Sequence, residues 1–248
     1  MERLSEMGSL STEELYEQTR IPRSSVYRVA SILESLGYLT RIINGGEHRW
    51  QIDLRFLNLS AGILNRLDVK TELKDVLVGL ANDTKEIVQL AIYENGMVRI
   101  VDNVRKHRSI INVAHEGSLL PVNTCVAGFV FAAYMSDEEL DALLEETELP
   151  QQTEFTITDK TKFKAAMVRV RKDGYAVDDQ FYAIGHRCIG APIFNHLGTV
   201  IAVINISGHV KTISDDKTEA FAAQVKQRAQ EGSALLGYVP QAVSLPQD

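Results

Sequence analysis

The sequence predicts an α+β protein in two parts: a small N-terminal winged helix-turn-helix and a larger domain built on an antiparallel sheet. Three observations carry this. Within residues 10–52, two short helical patterns are joined by "RIPR" and followed by a hairpin pattern with "NGG" at its turn. From Glu86 the apolar period changes from helical spacing to two. The strands implied after that point are interrupted by helices, the pattern of an antiparallel sheet with helices packed on it.

Composition bounds the function classes. At 248 residues, 45% hydrophobic and 24% charged, the chain is long enough for one large domain or two ordinary ones with a real core. No apolar run approaches the ~20 residues of a membrane span. "MERLSEMGSLSTEEL" is acidic and polar, unlike a signal peptide. Cys125 and Cys188 are the only cysteines, too few for a disulfide framework, so a reducing cytoplasm is expected. The net charge of −7 argues against coating a polyanion with the whole surface, but not against a local basic site. Such a site has one place to be. Residues 1–19 carry five glutamates against Arg3, whereas residues 20–55 carry six arginines against three carboxylates, a net +3.

The first part reads in order. Ser11 followed by Glu14 fits a capping box, so a helix starts there and runs to about Thr19, with Leu15 as its apolar contact. Pro22 ends one element and suits the start of the next. A second helix covers about residues 23–36, because Val26, Val29, Ala30, Leu33 and Leu36 recur at helical spacing and Gly37 suits the position after its end. Its other face carries hydroxyls and arginines, the groups with which a recognition helix meets base edges and phosphates. Arg23, Ser24, Ser25, Tyr27 and Arg28 are therefore the candidate DNA contacts. Residues 38–43 and 49–52 read as strands around "NGG", whose residues tolerate positive φ. This hairpin is the expected wing, with Arg41 and Arg49 as candidate contacts to the DNA backbone.

Residues 53–83 read as helical, with a broad leucine stripe and a division near Asp68 or Thr71; residues 54–67 are the expected linker helix. "EIVQLAIY" and "MVRIVDNV" flank "ENG" as a hairpin, and "SIINVAH" adds a strand. "NTCVAGFVFAAYM" is helical. Ser136 with Glu139 forms a second capping box, and "DKTKFKAAMVRVRKDG" is a helix closed by Gly174. Strands are expected at 175–179, 186–195 and 198–206, and a last helix at 214–236. The boundaries are 1–53 for the winged domain, 68–239 for the second domain and 240–248 for a disordered tail.

"GYAVDDQFYAIGHRC" (174–188) gathers Asp, His and Cys in one short stretch, and three chemistries compete for it. A cysteine nucleophile needs a base within reach and an orienting third group. His186 and Cys188 share a face if they lie on one strand, but proximity of that kind comes cheaply, and no nucleophile elbow, phosphate loop or HExxH motif is present. Asp178, His186 and Cys188 could offer three metal ligands, with His115 a distant fourth. Their spacing is no recognised zinc pattern, so no metal or other cofactor is expected. The third reading is a small-molecule pocket: alternation places His186 and Cys188, then Asn205 and Ser207, on one face, with Leu120, Val126 and Ala127 as apolar walls.

"RIPRSSVYRVASILESLGYL" resembles the recognition segment of the IclR family of bacterial transcriptional regulators. "GYAVDDQFYAIGHRCIGAPIFNHLGTVIAVINISG" resembles that family's C-terminal signature closely, and "SLLPVNTCVAGFVFAAY" its pocket segment more loosely. The resemblance implies a GAF-like effector domain behind the winged helix, assembly as dimers or dimers of dimers, and a palindromic DNA operator as partner. It places effector-binding positions on Leu120, Val126, Ala127, Asp178, His186, Cys188, Asn205 and Ser207. The effector expected is a small organic acid. Asn123 and Phe129 stand where the family often has His and Lys, and only seven residues precede Gly8, fewer than the usual arm. The rival readings are a cysteine hydrolase using Cys188 and His186, and a sensor that does not bind DNA.

Overall fold

The computed structural model describes residues 1–56, 68–105 and 114–240. Most of the expected linker helix, the core of "SIINVAH" and nearly all of the C-terminal tail lie outside the described residues. The chain forms two compact units, Met1–Leu67 and Asp68–Asp248.

The first unit contains α1 (Glu2–Met7), β1 (Ser9–Ser11), α2 (Thr12–Thr19), α3 (Arg23–Ser35), β2 (Leu39–Asn44) and β3 (Glu47–Ile52). Both halves of the Ser11 capping box form: Ser11 Oγ accepts the Glu14 N–H at 3.2 Å, and the Glu14 carboxylate accepts the Ser11 N–H at 2.8 Å. Gly45 and Gly46 both adopt positive φ, 62° and 83°, and close β2 onto β3 with a two-residue turn. The sheet order β1-β3-β2 puts Trp50 at the centre, opposite Leu10 on one side and Arg41 on the other. Leu4, Leu10, Leu15, Val26, Ala30 and Leu39 complete its core. α1 and β1 are absent from the sequence reading, because one helical turn and a three-residue strand are too short to show a period.

The second unit contains α4 (Val69–Glu72), α5 (Lys74–Thr84), β4 (Ile87–Glu94), β5 (Met97–Val104), β6 (Leu119–Pro121), α6 (Val126–Ala133), α7 (Asp137–Glu146), α8 (Lys160–Asp173), β7 (Ala176–Asp179), β8 (His186–Phe194), β9 (Val200–His209) and α9 (Thr218–Leu235). Asp68 caps α4 through its carboxylate, so it is Asp68 that opens the segment. The strands form one antiparallel sheet in the order β6-β5-β4-β9-β8-β7. α5 and α9 pack together on one face; α6, backed by α8, covers the other. β8 is buried along almost its whole length because both of its faces are covered. This is the curled antiparallel sheet of a GAF-like domain.

Two elements are shorter than the apolar pattern suggests. Residues 122–124 form a 3₁₀ turn and Cys125 is extended, so α6 starts only at Val126. The last helix starts at Thr218 after a 3₁₀ turn over Asp215–Lys217. The expected turn "NHLG" is present, with Asn195 Oδ1 accepting the N–H groups of Leu197 and Thr199. Asn123, wholly buried, donates to the carbonyls of Pro150 and Ile157 and ties down the loop over 147–157. Phe129 stacks on Phe181 and meets Phe163 edge-on, which makes it a core residue.

Candidate functional site

Two regions concentrate the sequence-predicted residues, one in each unit. In the first, Pro22 opens α3 through its carbonyl, which accepts the N–H groups of Ser25 and Val26. The exposed N-terminal part of α3 presents Arg23, Ser24, Tyr27 and Arg28; Ser25 turns toward the apolar groove beside Val26 and Val29. The arginines differ in what they have left to offer. Arg23 pairs with Glu13 through both Nε and Nη2 and lies 4.0 Å over the Tyr16 ring. Arg41 pairs with Glu34 at 2.8 Å and lies 4.6 Å over Trp50. The Arg49 side chain is 18% exposed and is committed to Glu14, Glu47 and the Ser9 carbonyl. Among the described residues, Arg28 and Arg20 have no side-chain partner. Arg20, at the end of α2, is the basic residue that helical spacing alone did not single out; its αL backbone at φ 58° turns the chain toward α3.

In the second unit the strand register builds the site. Asp178 on β7 lies opposite Cys188 on β8, and Cys188 lies opposite Ser207 on β9. One step along, Gly190 lies opposite Asn205, and Asn205 opposite Gln89 on β4. Because alternate residues share a face, His186, Cys188 and Gly190 all look toward α6. A Cβ on Gly190 would come within 3.2 Å of the Val126 side chain, so the glycine lets the helix approach the sheet here. Gln89, Ile100, Ala114, Leu120, Cys125, Val126, Ala127, Asp178, Tyr182, His186, Cys188 and Asn205 line a cavity of about 20 Å³. Ser207 reaches it through His186, whose Nε2 lies 2.6 Å from Ser207 Oγ. All eight residues assigned to a pocket thus meet at one place. Gln89, Ile100, Ala114, Cys125 and Tyr182 also line it and lie outside the sequence expectation. Gln89 is revealed only by β4 pairing with β9, where its Oε1 accepts from Asn205 Nδ2 at 3.2 Å and its Nε2 donates to the Ala114 carbonyl at 2.7 Å. His115 is exposed, bonded to Ser118 and apart from the cluster.

The adjacent aspartates separate by face. Asp179 pairs with the buried Arg187, which also donates to the Ile213 carbonyl. Asp178 is fully buried; its Oδ1 accepts the Phe181 N–H at 2.6 Å, and its Oδ2 finds no hydrogen-bond partner among the described residues. Burial raises its pKa to about 7, against the lowering by the Phe181 and Tyr182 amides. Burial lowers His186 to about 4, with a smaller contribution from His209. Burial also pushes the Cys125 thiol to about 12 and Cys188 well above the ordinary thiol range. Cys188 Sγ sits 3.8 Å from His186 Nδ1 and 3.9 Å from Nε2. A neutral thiol beside a neutral imidazole is the reverse of the thiolate that a cysteine hydrolase needs.

Residues 61–234 match the family model described as bacterial transcriptional regulator IclR C-terminal. Over 232 residues the chain is 28% identical to the transcriptional repressor IclR of Escherichia coli K12, covering 93% of this chain and 84% of that one. Over 230 residues it is 29% identical to the HTH-type transcriptional regulator KipR of Bacillus subtilis 168, covering 93% and 91%. Among solved structures, the IclR of Thermotoga maritima superposes with a TM-score of 0.67 at 28% identity, covering 93% of this chain and 92% of that one. HmgR of Pseudomonas aeruginosa shares the fold with a TM-score of 0.79 at 23% identity, covering 96% and 94%. The curated relatives are named transcriptional regulators or repressors, not enzymes.

Proposed function

The chain belongs to the IclR family of bacterial transcriptional regulators, and from that premise we propose how it works: it binds a roughly palindromic operator as a homodimer or homotetramer, under control of a small organic acid held in the cavity of the second unit. Its setting is the cytoplasm; among the described residues, no helix is long and apolar enough to cross a membrane. The observation that carries the effector half is the cavity itself. His186, Asn205 and Ser207 bring hydrogen-bonding groups together between the apolar walls of Leu120, Val126 and Ala127, with Asp178 and Cys188 at its floor. A cavity of about 20 Å³ holds roughly one water. An organic acid therefore has to displace part of the wall, and the partly buried Tyr182, whose ring lies 5.9 Å from that of His186, is the side chain placed to yield. Amides in the first turn of α6 are suited to the ligand's carboxylate. For control, the acid must bind one DNA-competence state better than the other.

Titration calorimetry with a panel of small carboxylic and α-keto acids tests this. A hydrogen bond to a charged group contributes about 1.5–3 kcal/mol, so His186→Ala is expected to weaken the binding acid by roughly 10- to 150-fold. Equal affinity in wild type and variant removes His186 from the pocket.

On the DNA side, recognition helices of a dimer would enter successive major grooves, with Arg23, Ser24, Ser25, Tyr27 and Arg28 at bases or phosphates and Arg41 and Arg49 along the backbone, where the last two would exchange Glu34 and Glu14 for phosphates. Arg28 is the strongest candidate for reading a base, because its guanidinium has no competing carboxylate in the described residues. Arg28→Ala is expected to lower affinity for the operator by about 1–3 kcal/mol while leaving binding to an unrelated duplex of equal length nearly unchanged. The measurement is binding to the chain's own upstream DNA at several salt concentrations. An equal loss on both duplexes, with a flatter salt dependence, would make Arg28 a phosphate contact instead.

A further inference from the structure

Arg23 is paired differently from the other arginines of the winged unit. Arg49 spends all three guanidinium nitrogens on Glu14, Glu47 and the hydroxyl and carbonyl of Ser9. Glu13 takes only one side of Arg23: its two carboxylate oxygens accept from Nε and Nη2. A guanidinium is a rigid planar fork of five N–H donors, so the end formed by Nη1 and the second Nη2 hydrogen lies outside that pairing. The Arg23 side chain is 54% exposed. Tyr16, one turn after Glu13 on α2, holds the guanidinium carbon 4.0 Å from its ring centroid. The pair also offsets a helix dipole. Arg23 is the first residue of α3, where a cation is unfavourable, and the first turn of α3 has no acidic residue. Glu13 supplies from α2 the negative charge that α3 lacks.

We propose, on the operator reading above, that Arg23 reads the O6 and N7 edge of a guanine in the major groove and that Glu13 is the residue that positions it. The end of the guanidinium that Glu13 leaves open is the two-donor fork that meets guanine bidentately. The N-terminal residues of a recognition helix are those that reach base edges. A carboxylate at its side and a ring at its face hold the arginine in place beforehand, so less rotamer freedom is lost on binding. Glu13 has a second effect of opposite sign. Its charge offsets that of Arg23 and repels phosphate, so it withholds a cation from the sequence-independent attraction that any duplex exerts. One glutamate thus strengthens a base contact and weakens a backbone contact. Sequence spacing hides the pair, because its members lie ten residues apart on two different helices.

The test uses the full chain on two duplexes of equal length, its own upstream DNA and an unrelated sequence, at several salt concentrations. Both side chains are exposed, and an exposed pair contributes little to stability, so the variants are expected to melt as the wild type does. Glu13→Gln is expected to bind the upstream DNA roughly 2- to 12-fold more weakly, the cost of ordering one freed side chain. On the unrelated duplex it is expected to bind more tightly, with the slope of log K against log salt steeper by up to about 0.9 per chain. Arg23→Lys keeps the charge but not the fork, and is expected to lose roughly 5- to 150-fold on the upstream DNA and little on the unrelated duplex. 7-Deazaguanine, which lacks N7 but pairs normally, then replaces the guanines of the upstream site one at a time. One replacement per half-site is expected to weaken the wild type and leave Arg23→Lys unaffected. Wild type that binds both duplexes equally sinks the operator reading and this assignment with it. Where the wild type discriminates, an equal gain on both duplexes for Glu13→Gln overturns this assignment alone, as does a guanine scan in which no position couples to Arg23. A wild type indifferent to every 7-deazaguanine overturns it without either variant.

Discussion

Replacing Trp50 with alanine is expected to unfold the first unit and abolish operator binding while the second unit melts as before. Trp50 is 2% exposed and is the cross-strand neighbour of both Leu10 and Arg41. Its indole donates to Thr12 Oγ1 at 3.1 Å, meets Tyr27 edge-on at 5.9 Å and carries the Arg41 guanidinium at 4.6 Å. Truncating a buried tryptophan to alanine costs about 3–5 kcal/mol. A unit of this size draws only about 3–5 kcal/mol of net stability from its core, so the loss consumes most of it. Scanning calorimetry, paired with an operator-binding assay, checks this. Operator affinity within a few-fold of wild type would show that the wing is held by something other than its tryptophan.

The second large effect belongs to Gly128→Ala in the helix over the cavity. Alanine is about 1 kcal/mol better than glycine inside a helix, so propensity alone predicts stabilisation. The neighbours decide otherwise. A Cβ at Gly128 would overlap the Val122 carbonyl oxygen and sit 2.5 Å from the Val122 carbonyl carbon and Cα. These are backbone atoms of the 3₁₀ turn before α6, not the flexible end of a side chain, so relief requires the turn and helix to separate. Overpacking of this kind costs about 1–3 kcal/mol or more. For a domain of this length that lowers Tm by roughly 2–4 °C per kcal/mol, or about 2–12 °C in all. Circular dichroism melting is sufficient to see it. An unchanged or higher Tm would mean that the 122–124 turn relaxes freely and helix propensity wins.

The elements that were legible in the sequence are those whose cause is local. Ser11 with Glu14 and Ser136 with Glu139 announce helix starts because each pair satisfies two backbone N–H groups within one turn. Gly174 announces an end because its φ of 74° is left-handed. Alternation along β8 puts His186 and Cys188 on one face, and the same rule separates Asp178 from Asp179. What was hidden depends on partners far along the chain. Gln89 enters the cavity through a strand pairing with Asn205, 116 residues away. Arg49 looks like a free basic group, yet its guanidinium is spent on Glu14, 35 residues earlier, and on the Ser9 carbonyl. Charge patterning counts such an arginine toward a DNA footprint, whereas only the packed unit tells which arginines remain available.

The central place of Trp50 has an optical consequence. It is the chain's one tryptophan, and it lies in the first of two compact units, directly beneath Tyr27 on the face of α3 that carries Arg28. Light absorbed at the red edge of the indole band therefore excites the winged unit and nothing else. Excited there, the chain carries its own built-in fluorophore in the first unit and none in the second, whose tyrosines absorb at shorter wavelength. A shift in its emission when an organic acid is added would be a direct optical record of the second unit communicating with the first, with no dye attached.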